Sequence, residues 1–253
     1  MSLQNHSSNW NKLTPPLRPT MEVAQQMYRL TPRGRTLLLG VTPEFHSMFE
    51  DLYAVDYNPS MIEQVWPGDT LIKQAHLGDW RTMEFEDSYF DAIIGDGALG
   101  LLGDLVSIQE FLARAVNWLR PGGVFAHRVF ERPTPAITLD DLQNDLASTT
   151  LCWNAFKMKL LFYVAEQNNG EAKFADVLSL FNTLVTDRDT APWSREQVDT
   201  IDLYAGLSSG TMMPDRGQHR SVFPENSDYW QLAITSGYDL AECCPIMIWK
   251  RPR

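Results

Sequence analysis

The spacing of hydrophobic residues along this chain changes near residue 133. Between Thr36 and that point, short apolar runs alternate with stretches in which apolar residues recur every three or four positions. Wholly apolar short runs are typical of strands buried on both faces, and the longer period is typical of helices. Strands are predicted at Leu37–Leu39, Leu52–Val55, Leu71–Ala75, Ala92–Ile94 and Val124–Phe130. Strands separated by helices predict a parallel sheet with right-handed crossovers.

Helices are predicted between these strands and before the first of them. Thr20 suits the N-cap of the first helix, because a threonine oxygen accepts a hydrogen bond from a first-turn N–H. The predicted helices are Met21–Leu30, Glu44–Phe49, Ser60–Val65 and Ile108–Leu119. We expect Pro121-Gly122-Gly123 to stop the last of them. The mostly polar segment before Thr20 contains three prolines, which predicts an extended arm.

Beyond residue 133 the pattern favours helices and then a return to the sheet. Amphipathic helices are predicted over 140–165 and 173–186, with another over 193–206. Val222-Phe223 and Tyr238–Trp249 are predicted strands. We therefore divide the chain into an arm with a helix (1–32), a core (33–133 with 216–253) and an inserted helical cap (134–215).

Charge and cysteine content narrow the possible partners and compartment. The chain has 253 residues and a net charge of −11, so a broad nucleic-acid or anionic membrane surface is disfavoured. Its first residues lack the apolar stretch of a secretory signal, and no run approaches 18 apolar residues. The three cysteines, two of them adjacent, suit reduced thiols and do not have the spacing of a metal site. These observations predict a cytoplasmic protein without a membrane span or a metal.

Candidate binding residues stand where the predicted parallel strands end. Gly40 ends the first strand, Asp56 the second and Asp96 the fourth, and Gly78-Asp79-Trp80 follows the third. In open α/β sheets ligands bind beyond the carboxyl ends of the strands, and a carboxylate after the second strand is placed to accept ribose hydroxyls. A glycine in the first turn lets backbone amides approach a ligand, although Gly40 also suits a simple tight turn, and Asp56 also suits a helix cap.

This order of motifs resembles class I, Rossmann-like S-adenosylmethionine-dependent methyltransferases over roughly residues 33–130. More loosely, Thr235-Ser236-Gly237-Tyr238 resembles the turn into the penultimate strand of that family. The resemblance implies an α/β fold with a mostly parallel seven-stranded sheet, helices on both faces and S-adenosylmethionine as cofactor. It further implies that Tyr57 lies against the adenine, Asp79 accepts from the adenine amino group and Trp80 packs on the ring. Asp96 would bind the cofactor's amino group or act on the substrate. Where the family has an acid and two further glycines around Gly40, this chain has Leu38, Thr42 and Glu44.

The resemblance implies methyl transfer by in-line displacement, and aromatic residues in the segment 134–215 favour a small organic acceptor. The sequence singles out no catalytic base; the candidates are Asp96, His127, Glu131, Asp215 and His219. Three alternatives stay open: a binding or regulatory protein that has lost the chemistry, a NAD-linked oxidoreductase and an aminopropyltransferase. The absence of GxGxxG argues against the oxidoreductase. Nothing in the sequence indicates an oligomeric state.

Overall fold

The computed structural model describes residues 10–148, 150–223, 228–232 and 237–253. Its strands are β1 (Arg35–Leu39), β2 (Asp51–Asp56), β3 (Lys73–Leu77), β4 (Phe90–Asp96), β5 (Leu119–Arg128), β6 (Glu171–Lys173), β7 (Gly210–Met212), β8 (Asp228–Leu232) and β9 (Ile246–Lys250). Within the described residues seven of them form one sheet in the order β3-β2-β1-β4-β5-β9-β8. Strands β1 to β5 are parallel, and β9 runs antiparallel to both β5 and β8. The predicted Rossmann-like fold is confirmed.

Several helices begin at a residue whose side chain caps them. The helices are α1 (Met21–Leu30), α2 (Pro43–Met48), α3 (Pro59–Gln64), α4 (Leu105–Trp118), α5 (Leu139–Leu146), α6 (Trp153–Gln167), α7 (Phe174–Leu184), α8 (Arg195–Asp199) and α9 (Arg216–Ser221). The Thr20 hydroxyl accepts from the Val23 N–H at 3.2 Å, as predicted. The Asp104 carboxylate does the same for Ser107 at 2.7 Å and starts α4.

Helices cover both faces of the sheet, as predicted, because strand residues alternate between two hydrophobic cores. Leu37 and Leu39 pack in one core with the apolar side of α4, including Phe111. Leu38 points to the opposite core, which contains Met27 of α1 together with residues of α2 and α3. The carboxyl ends of the parallel strands are therefore fixed from both sides.

Several predicted boundaries differ from the structure. Helix α4 ends at Trp118, and Pro121-Gly122-Gly123 lies inside β5, so the predicted helix stop is wrong. Val222-Phe223 follows α9 as a turn and is not a strand. In the predicted strand Tyr238–Trp249, residues 241–243 form a 3-10 helix, and β9 begins at Ile246. The predicted turn at Thr235-Ser236 lies outside the described residues.

The segment between β5 and β8 builds a third hydrophobic core. The predicted helix over 140–165 is two helices, α5 and α6, and the one over 193–206 is α8 followed by a 3-10 turn. Phe156 and Phe181 are fully buried in this core, which also includes Cys243 and Cys244 from the C-terminal part of the chain. The short strands β6 and β7 pair within the same segment, so it is not wholly helical. Along the described residues no helix is both long and apolar enough to span a bilayer.

Candidate functional site

The predicted site residues Gly40, Asp56 and Asp96 lie at the carboxyl end of the sheet, where β1 neighbours both β2 and β4. This is the point at which the strand order reverses, and it is where ligands bind in open α/β sheets. Gly40 has a φ of +95°, which disfavours any side chain there. A Cβ added to Gly40 would lie 3.9 Å from Oδ2 of Asp56. The turn after β1 and the acid after β2 therefore face each other.

Asp56 is a buried carboxylate with 9% of its surface exposed. Its Oδ1 accepts the backbone N–H of Asn58 at 2.9 Å. Burial raises the pKa of Asp56 to about 6, and the Asn58 hydrogen bond acts in the opposite direction. Hydroxyl donors that bind Oδ2 would stabilise the ionised form of this carboxylate. The cap of α3 is the neighbouring Asn58, whose side chain accepts from the Ser60 N–H, so Asp56 is not needed for that role.

Tyr57, Asp79 and Trp80, which the resemblance places around the adenine, have different surroundings. Tyr57 is 45% exposed. Asp79 accepts hydrogen bonds from the backbone and the guanidinium of Arg81, and this contact holds the pKa of Asp79 below its usual range. Trp80 is buried in the hydrophobic core that contains α4. An adenine amino group would therefore share Asp79 with Arg81, a residue that the sequence analysis did not single out.

Asp96 is bound by a buried arginine. Asp96 and Arg128 are register partners on β4 and β5, and their side chains are 4% and 0% exposed. The guanidinium pairs with both carboxylate oxygens, with Nη2 to Oδ2 at 2.9 Å. Arg128 also donates to the carbonyl of Pro16 at 2.8 Å and to the Tyr238 hydroxyl at 3.2 Å. Asp96 is thereby engaged as a counter-ion and is poorly placed to act as a base.

The N-terminal arm (10–19) crosses this end of the sheet and supplies a second arginine. Arg18 donates from Nε to Oε1 of Glu44 at 2.6 Å, and Glu44 is 8% exposed. Glu44 stands where the family pattern has a glycine, and it is bound by the arm. Sequence analysis missed both arginines because each pairs with an acid far away in the sequence. For Arg128, the parallel register of the fourth and fifth strands, which places residue 128 beside residue 96, could have indicated the pair.

A narrow cavity of about 10 Å³ lies beyond β4 and β5. His127 and His219 line it, together with mainly apolar residues, namely Leu99, Leu105, Ile108, Val129, Phe130, Met212 and Val222. Glu131, which follows β5, accepts from Arg216 at 3.2 Å and from Gln231 at 2.9 Å, and lies 3.7 Å from Nδ1 of His219.

The remaining base candidates separate by their contacts. Asp215 caps α9 by accepting from the Gln218 N–H at 2.8 Å, which assigns it a structural contact. His127 lies within β5, as expected, and is fully buried. His219 and Glu131 face each other beside the cavity. Among the described residues, no group of three or more His, Cys, Asp or Glu side chains is placed to hold a metal ion.

Residues 40–127 match a family described as "Methyltransferase domain". They begin at Gly40, directly after β1, and include β2, β3, β4 and nearly all of β5, so the strand-end residues Gly40, Asp56 and Asp96 lie within the match. The resemblance to class I S-adenosylmethionine-dependent methyltransferases is confirmed. The methyltransferase match likewise supports S-adenosylmethionine as the cofactor. No curated protein matches the chain in sequence.

Solved structures share the fold over most of the chain. One is the complex between the Haloferax volcanii Trm112 methyltransferase activator and the putative methyltransferase. It gives a TM-score of 0.52 at 12% sequence identity, and the match covers 91% of this chain and 89% of that chain. An S-adenosylmethionine-dependent methyltransferase from Methanosarcina mazei gives a TM-score of 0.54 at 10% identity, covering 90% and 97%. A putative zinc-dependent alcohol dehydrogenase from Rhodobacter sphaeroides gives 0.61 at 8% identity, covering 99% of both chains. At such identities the likeness concerns the fold.

Proposed function

We propose that this protein transfers a methyl group from S-adenosylmethionine to a small organic acceptor. The observation that carries the proposal is Asp56, a buried carboxylate at the end of β2 that faces the glycine turn after β1. A buried charge without a cation costs free energy, which a ligand with two hydroxyl donors would offset. The ribose of the cofactor is such a ligand. The methyltransferase match over residues 40–127 supports the same reading.

The chain offers a group for each part of the cofactor. Asp56 would hold the ribose, Gly40 would let the backbone approach it, and Tyr57 would cover the adenine beside Asp79 and Trp80. The methionine end is a zwitterion, and the set formed by Arg128 with Asp96 and Arg18 with Glu44 contains both signs of charge. When bound, S-adenosylmethionine supplies a methyl group on a positively charged sulfur.

The protein's part in such a reaction is to position the acceptor in line and to exclude water. We propose that the segment 134–215 acts as a cap on the acceptor side, because β7 of that segment contributes Met212 to the cavity beyond β4. The mainly apolar cavity wall favours an apolar acceptor over a polymer. A cytoplasmic location stays a proposal; it agrees with Cys152, Cys243 and Cys244 forming no disulfide.

A second candidate is a binding or regulatory protein without transfer activity. The observation that favours it is the occupation of two predicted cofactor acids by arginines, Asp79 by Arg81 and Asp96 by Arg128. If these pairs do not rearrange, the adenine and methionine ends lose acceptors that the family pattern uses.

The experiment is calorimetric titration with S-adenosylmethionine and, separately, with S-adenosylhomocysteine. We expect micromolar binding of both, lost in Asp56→Ala and retained in the control Asp51→Ala, which removes a partly exposed acid from the start of the same strand. No binding by folded protein would refute the proposal. Binding without transfer to any member of a broad panel of hydroxyl, amine, thiol and carboxylate acceptors would favour the second candidate.

A further inference from the structure

The cavity beyond β4 and β5 contains two histidines that cofactor binding leaves unexplained. Its volume of about 10 Å³ is room for one water-sized group. His127 and His219 are the ionisable side chains of its lining, and apolar residues such as Leu99, Ile108 and Val129 form most of the rest. A polar atom that enters therefore meets imidazole edges in a mainly apolar surrounding.

The histidines have unsatisfied hydrogen-bonding groups. Both ring nitrogens of His127 and Nδ1 of His219 are buried and have no hydrogen-bond partner among the described residues. The two residues are 0% and 4% exposed. Buried polar atoms are nearly always bonded to something. The two unpartnered nitrogens of His127, a residue that lines the cavity, therefore indicate that the cavity receives a polar group.

Glu131 lies on one side of the His219 ring. Its Oε2 is 3.7 Å from Nδ1 of His219, so Nε2 is the ring nitrogen that is not beside this carboxylate. Burial would raise the pKa of Glu131, but contacts with His219, Gln231 and Arg216 outweigh burial and hold it below its usual range. Glu131 is therefore ionised at neutral pH and places a negative charge beside His219.

The two histidines differ in their charged surroundings. Burial lowers the pKa of His127 to about 3, so this ring stays neutral and serves as a hydrogen-bonding wall. Around His219 the ionisable groups are Glu131 and His127, with Arg216 and Tyr229 reaching it through Glu131. Of the two imidazoles, His219 is the one with a carboxylate counter-charge.

We propose that the cavity receives the hydroxyl group of an apolar acceptor, that His219 accepts its proton, and that Glu131 is a positioning residue for His219. This inference rests on the proposed function. The acceptor's O–H bond breaks and the proton moves to Nε2. The oxygen's electron pair forms the bond to the methyl carbon as the carbon–sulfur bond breaks, and that bonding pair remains on the sulfur. The product is a methyl ether beside a protonated histidine.

The first test uses 4-nitrophenol as a probe of proton transfer, with no methyl donor present, because its absorbance reports its ionisation. At a pH where the free probe is mainly neutral, we expect the bound probe to show the phenolate spectrum. His219→Gln should abolish that signal. His46→Gln should keep it, since His46 lies on α2 and contacts the Gly68 carbonyl. Failure of the probe to bind, or equal ionisation in His219→Gln, would overturn the inference.

A second measurement separates proton transfer from a structural effect of changing a buried residue. In transfer assays, His219→Gln should slow methylation of phenol about 10²- to 10⁴-fold, the usual contribution of a positioned base. Thiophenol, which is ionised at mildly alkaline pH, should be methylated at a rate close to wild type. Glu131→Gln should move the acidic limb of the phenol pH–rate profile to lower pH. Equal loss with both acceptors, or phenol methylation unaffected by His219→Gln, would contradict the proton-transfer role.

Calorimetry keeps the two proposals apart. S-adenosylmethionine binding that survives in His219→Gln, together with a lost phenolate signal, supports both proposals. Absent cofactor binding in the wild type would refute the proposed function, whereas intact binding with an unchanged probe signal would refute this inference alone.

Discussion

The carboxylates at the two ends of the predicted cofactor site have different bonding partners. At the ribose end Asp56 is buried and accepts a hydrogen bond from the backbone amide of Asn58, and burial raises the pKa of Asp56 to about 6. At the methionine end Asp96 is equally enclosed but is paired with Arg128 through both oxygens. A counter-ion offsets much of the desolvation cost of a buried acid, whereas a buried acid without one is destabilising until a ligand arrives. The comparison favours Asp56 over Asp96 as the acid that we propose binds the ligand.

Removing Arg128, the counter-ion of Asp96, should have the largest effect on the free energy of unfolding. Arg128→Leu leaves Asp96 buried and unpaired, so we expect the free energy of unfolding to fall by about 3–5 kcal/mol in urea denaturation. The matched control is Arg120→Leu, which removes the exposed partner of Asp91 at the other end of β4 and should cost under about 1 kcal/mol. Adding Asp96→Asn to Arg128→Leu should recover part of the loss. Similar losses from Arg128→Leu and Arg120→Leu would break the comparison.

Neutralising Asp56 should raise the free energy of unfolding instead of lowering it. Asp56→Asn keeps an oxygen for the Asn58 amide but removes a charge whose folded-state pKa is about 6, against an ordinary value of 3.8. Ionisation therefore costs the native state free energy that grows as pH rises from about 4 to 6 and is constant above. At pH 7.5 the variant should gain up to about 3 kcal/mol of unfolding free energy, with no gain at pH 3.5. Cofactor affinity should fall in parallel; a destabilised variant would contradict the assignment.

The smallest expected effect is a pH dependence of cofactor affinity. Ribose hydroxyls donate to the ionised form of Asp56, and one unit below a pKa of about 6 roughly a tenth of the carboxyl groups are ionised. Affinity for S-adenosylhomocysteine, measured by calorimetry, should therefore rise about tenfold from pH 5 to pH 7. The same titration of Asp56→Asn should be flat over this range. A slope that persists in the variant would assign the titration to another group.

Sequence reasoning worked where local chemistry determines the structure. The Thr20 cap starts α1 as predicted, and Asp56 ends β2 because an apolar run stops there. It failed where apolar content did not mean burial. Leu71 and Ile72 were assigned to the third strand, but they are 98% and 57% exposed, and β3 begins at Lys73. As a strand at the sheet edge, β3 needs less hydrophobic sequence than a central strand.

In the candidate site, too, the features set by local sequence were predictable and the tertiary contacts were not. Strand ends bring Gly40, Asp56 and Asp96 to one edge, as the topology requires. Their partners are tertiary contacts: Arg128 reaches Asp96 through the register of β4 with β5, and Arg18 reaches Glu44 from the arm. No periodicity in a single sequence encodes such pairs, so whether an acid is free for a ligand was not predictable.

The arm has a consequence for how the molecule unfolds. Its Pro16 carbonyl is bonded to Arg128 of the sheet, and its Thr14 hydroxyl accepts from Asn154 of α6 at 2.8 Å. The ten residues of the arm thus add a connection between the parallel sheet and the third hydrophobic core. We expect the sheet and this third core to melt as one cooperative unit while the arm is in place, because the arm couples the segment 134–215 to the sheet.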